Sequence, residues 1–179
     1  MGAVVPAAAA DPVVESAPVA ALRARLDELM QLVLTMSPDA YCARTSCVSG
    51  SVGEHVRHLL DHVSSLVAAR PTSVLSYDHR TRGTAVEAEP SAAVREMMRL
   101  DAALERWSDR SLDEPVAVAA ITSAEGHSVT GWSTLTRELA FVLSHTIHHQ
   151  AIVALLLEQR GVPMPDERFG YAPTTPQRN

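Results

Sequence analysis

The chain has 179 residues, enough for one domain with a sizeable core. Hydrophobic residues make up 46% and aromatics only 4%, with Ala, Val and Leu abundant, which favours closely packed helices over a β-sandwich. Every basic residue is arginine and the net charge is −6; with no basic patch, nucleic acid is excluded as an expected partner.

Residues 1–17 are rich in Ala, Val and Pro and lack a positive start. Pro6, Asp11, Pro12 and Glu15 interrupt any signal-like apolar stretch, so a disordered tail and a cytoplasmic protein are expected. The first helix is expected from Pro18 to Thr35, with Leu22, Leu26, Leu29, Met30 and Val33 as its apolar stripe and Ser37-Pro38 as its stop. Cys42 and Cys47 fall in the loop that follows and read as thiols rather than a disulfide. Ser51 with Glu54 three residues on makes a capping box for a second helix, SVGEHVRHLLDHVSSLVAAR, ending before Pro71.

That helix carries His55, His58 and His62 along one edge of its apolar arc, with His58 central; Asp61, a turn from His58, could orient an imidazole or equally be a solvated charge. A long polar connection follows, with YDHRTRGT at 77–84. Tyr77, Arg80 and Arg82 there could grip a substrate carboxylate, since a guanidinium fork matches it; equally, they could be a solvated loop pairing with nearby acids. Pro90 opens a third helix to about Ser108, and PVAVAAITSA followed by Glu125-Gly126 and HSVTGW suits a short β-hairpin. Ser133 is the expected cap of the last helix, and Gly161 with Pro163 its stop. Beyond it, 162–179 is a Pro-rich tail whose Phe169 and Tyr171 could fold it back over the bundle end.

The last helix holds the stretch that organises the rest, RELAFVLSHTIHHQAIVALLL over 137–157. It is apolar on nearly every side, but its histidines keep it from reading as a membrane span, and no membrane association is expected. Glu138, His145 and His149 share one face, and the last two stand one turn apart, as two ligands of one metal ion must. An imidazole buried without partners costs a few kcal/mol, and two histidine-rich faces in one small domain point to a shared divalent cation.

With GEHVRHLLDH in the second helix and HTIHH in the last, the chain resembles the DinB/YfiT-like superfamily over residues 18–161. The resemblance implies an all-α, up-down-down-up four-helix bundle with a long connection between helices 2 and 3. It implies His58, His145 and His149 as ligands of Zn, Ni or Fe, leaving His55, His62 and His148 as surplus or extra ligands. It implies an enzyme that transfers a low-molecular-weight thiol to an electrophilic small molecule through a metal-bound thiolate. Glu138, on the ligand face, is the candidate catalytic base or water-orienting group, or else pairs with a neighbouring Arg. Ala151 stands where the superfamily's oxidative members carry a carboxylate, which sets that chemistry aside. Metal-dependent hydrolysis and a non-catalytic metal-binding stress protein are the alternatives, and pairing as a homodimer through an apolar helix face is compatible with any of them.

Overall fold

The computed structural model describes residues 16–46, 48–79, 81–107, 111–164 and 166–176. Its elements in chain order are α1 (Ala17–Leu34), α2 (Pro38–Cys42), α3 (Val52–Ala68), β1 (Val74–Ser76), α4 (Ala85–Ala88), α5 (Pro90–Glu105), β2 (Pro115–Ile121), β3 (Ser128–Thr134) and α6 (Leu135–Glu158). The tail expected over 1–17 lies outside the described residues as far as residue 15, and so does Cys47; Cys42 is an exposed thiol.

Each long helix buries a stripe at three- and four-residue spacing. In α1 it is Val19, Leu22, Leu26, Leu29 and Val33, and in α3 it is Val52, Val56, Leu59, Leu60, Val63 and Leu66. The α3 start is fixed by the capping box: Ser51 Oγ accepts from the Glu54 amide, and Glu54 accepts from the Ser51 amide. α1 packs on α5 and α6, and α3 packs on the same two, so the four long helices close around one core.

The expected all-α class is corrected. Among the described residues the helices are joined by a three-stranded mixed sheet in the order β1-β2-β3. β2 and β3 form an antiparallel hairpin from Pro115 to Thr134, and β1 adds to β2 in parallel. The short hairpin is thus part of a larger element. β1 escaped notice because three residues carry no readable alternation, and they sit inside a connection whose Pro, Gly and charges read as loop. Leu75 and Val116 fasten the sheet to the helical core. Val74, Ala117 and Trp132 make one row on its other face, where Val74 and Trp132 are exposed.

α6 is capped by Thr134 rather than Ser133: the Thr134 side chain accepts from the Arg137 amide, while Ser133 donates to Glu138. By length and composition alone α6 could cross a membrane. Its buried residues, Leu139, Val142, Val153 and Leu156 among them, belong to the core it shares with α1 and α3. Past its end, Phe169 is buried in the same core, and Gly170, at φ +78°, lies so close that a Cβ would meet the Ala151 backbone at 2.6 Å.

Candidate functional site

α3 and α6 run against each other, and their histidines meet between them. His58, His62 and His145 each offer one ring nitrogen, and the three nitrogens lie within 4.8 Å of one another. The Nε2 atoms of His58 and His145 are 3.3 Å apart. Donor atoms of a tetrahedral zinc site with bonds of about 2.1 Å stand about 3.4 Å from each other, so this edge already has the right length.

His62 is buried and stacks on His145, with ring centroids 3.9 Å apart and planes 20° from parallel. Its Nδ1 is 3.0 Å from the His58 carbonyl oxygen. A carbonyl only accepts, so that nitrogen carries the proton and Nε2 is the lone-pair nitrogen of the neutral ring. His62, counted as surplus from the sequence, therefore joins His58 and His145 in the closest set.

His149 is buried beside them, its ring centroid 4.7 Å from that of His58 and 4.6 Å from that of His145. Its Nδ1 faces His55 Nδ1 at 3.1 Å. Burial, with repulsion from His145, His58, His55 and His148, pushes its pKa down to about 2, so this imidazole stays neutral. Burial also lowers the pKa of His55, against an opposing pull from the Ser49 carbonyl and Glu54. His148 is exposed, 5.2 Å from the His149 ring.

Tyr77 closes the side nearest β1. Its ring lies 5.1 Å from that of His62 and nearly parallel to it, so His62 is sandwiched between Tyr77 and His145. The Tyr77 hydroxyl donates to Glu138 at 3.0 Å, and Ser133 donates to the other Glu138 oxygen at 2.6 Å. Burial first, then the Glu138 charge and hydrogen bond, drives the phenol's pKa far up and keeps it protonated. Glu138, expected as a base, is a buried carboxylate whose two oxygens are engaged in holding Tyr77 and Ser133. Periodicity could not have shown the contact between Tyr77 and His62, because it is made across the turn from α3 into β1.

Asp61, expected either to orient an imidazole or to be a solvated charge, accepts from Arg57 at 2.8 Å, and Arg57 also donates to Glu87 at 2.7 Å. The spacing that set Asp61 near His58 also set it one turn from Arg57, and the guanidinium is the stronger partner. Arg82 is exposed and Arg80 lies outside the described residues, while Tyr77 turns inward; the carboxylate grip of Tyr77, Arg80 and Arg82 is not assembled among the described residues.

No family model matches the chain. The chain is similar to FK506-binding protein 5 of Rhizopus delemar, with 33% identity over 106 residues; the match takes in 59% of this chain and 27% of the relative, so the chain spans only about a quarter of that curated protein. On this finding the resemblance to the DinB/YfiT-like superfamily is corrected, and the thiol transferase, hydrolase and stress-protein readings drawn from it are withdrawn. A histidine in one helix and a pair one turn apart in another report which side chains share a face. They carry no record of ancestry, and two unrelated helical proteins can hold the same spacing.

Proposed function

We propose that the chain binds a divalent transition-metal ion through His58, His62 and His145, with His149 beside them. The observation that supports it is the convergence of three imidazole nitrogens from two helices within 4.8 Å. Extra protons cannot hold such a group together, because charging one ring raises the cost of charging its neighbours. A cation shared by neutral lone pairs can. An all-imidazole donor set suits Zn, Ni or Fe and disfavours Mg and Ca, which take oxygen ligands. The His62 tautomer, pinned by a backbone carbonyl, is the arrangement by which proteins aim a ligating imidazole.

The test is elemental analysis of protein purified without a chelating tag, followed by zinc titration of the metal-stripped chain. One ion per chain is expected, with added stability of about 2.7 kcal/mol when the free ion stands at a hundred times its dissociation constant. The His58→Ala/His145→Ala double variant should lose both. A wild-type chain that takes up no stoichiometric metal ends the reading.

A second reading rests on the relative: that this chain, too, binds FK506 or a similar apolar macrocycle. A groove of about 460 Å³ along α6 and the C-terminal segment, lined by Ala154, Leu155, Val162, Met164, Phe169 and Tyr171 among others, has the size of a small-molecule site. Titration with FK506, followed by calorimetry, decides it: no heat at micromolar protein rejects this reading and leaves the metal reading untouched.

A further inference from the structure

The geometry points to His55 as the positioning residue that presents His149 to the ion as a fourth imidazole, an inference that rests on the metal reading above. The chain of contacts starts at a group that can only accept. The Ser49 carbonyl oxygen lies 3.0 Å from His55 Nε2, so that nitrogen carries the proton and donates. In the neutral ring, His55 Nδ1 is then a lone pair. It faces His149 Nδ1 at 3.1 Å, so His149 Nδ1 carries the proton between them. What remains on His149 is the Nε2 lone pair, on a buried ring packed edge-on against both His58 and His145.

A backbone carbonyl thus sets the tautomer of a second ring through the first. The local sequence is built for it. Gly50 has φ +97°, a left-handed turn that a side chain would resist, and a Cβ there would press on His55 Nε2 at 3.3 Å. The capping box at Ser51 and Glu54 then fixes the first turn of α3, on which His55 rides. Metal-ligating histidines characteristically hold their second nitrogen in this way, and the partner that holds it governs how well they bind.

The experiment compares zinc uptake by the full-length wild type, His149→Ala, His55→Phe and His55→Gln, with the imidazole count read by X-ray absorption at the zinc edge. Four imidazoles are expected in the wild type and three in His149→Ala and His55→Phe, with affinity about 10- to 100-fold lower. His55→Gln, whose amide oxygen can accept from His149, should restore the fourth. Metal-free melting curves accompany each variant, since a merely structural role would move those and leave the imidazole count alone. A His55→Phe chain that still shows four imidazoles overturns the inference, as does a wild type with three. If the wild type binds no zinc, the metal reading falls as well, so the two failures are told apart.

Discussion

Two edges of α3 bury polar groups by opposite means. On one, Arg57 is buried and holds two carboxylates, Asp61 at 2.8 Å and Glu87 at 2.7 Å. On the other, His55, His58 and His62 meet the imidazoles of α6, rings stacked on and facing one another. The first edge is electrostatically complete: each charge has its opposite within hydrogen-bonding range, and although burial works to lower its pKa, Asp61 and Glu87 together hold Arg57 more firmly protonated. The second is a set of like donors, and each ring that took a proton would repel the rest. Burial with opposite charge closes a site, whereas burial with one's own kind is, on the reading proposed above, what a cation from outside would close.

The largest test removes the closing charge. Arg57→Met leaves Glu87, 15% exposed, without its cation. Breaking a buried pair by deleting one partner costs about 3–5 kcal/mol, and α4 should come away from α3 in the same step. Urea unfolding of the metal-free chain measures it. Zinc uptake should persist, because the guanidinium bonds to Asp61 and Glu87 while His58, His62 and His145 converge on one another; a loss below about 1 kcal/mol would put the pair among surface contacts instead.

The same contrast marks what could be read from the sequence. The long helices were legible because their apolar stripes repeat every three or four residues, and the histidines could be placed on facing edges by that count. The site's inner order was not. His58 and His145 meet because two helices pack, but whether His62 or His149 stands nearest depends on how far each is rotated, which spacing leaves open. Tyr77 reads with Arg80 and Arg82 as part of a carboxylate grip or, equally, of a solvated loop; it turns inward because Glu138 and His62 offer it a hydrogen bond and a flat face. The strands were half legible. The alternation of β2 shows, but β1 gains its identity only from the neighbour it pairs with.

Acid should sharpen the difference between the edges. The folded-state pKa of His149 is lowered to about 2 and that of His55 is also lowered, so below the ordinary histidine value near 6.5 the unfolded chain binds protons that the folded chain refuses. Stability is therefore whole above that value and falls as the pH drops, by up to about 1.4 kcal/mol per pH unit for each proton involved. Chemical denaturation of the metal-stripped chain from pH 7.5 to 5 should show this slope, flattened by about one proton in His149→Gln. An unchanged slope in that variant would mean that His149 is protonated in the fold as readily as out of it.

The smallest effect separates the two things Tyr77 does. Tyr77→Phe keeps the ring on His62 and deletes the hydroxyl that donates to Glu138, at a cost of about 1 kcal/mol in unfolding free energy. Zinc affinity should hold, because what steadies His62 on that side is a flat face. Tyr77→Ala takes the face away as well and should weaken zinc binding. If Tyr77→Phe weakens zinc as much as Tyr77→Ala does, then Glu138 reaches the imidazoles through the phenol, and the two edges of α3 are less different than their charges suggest.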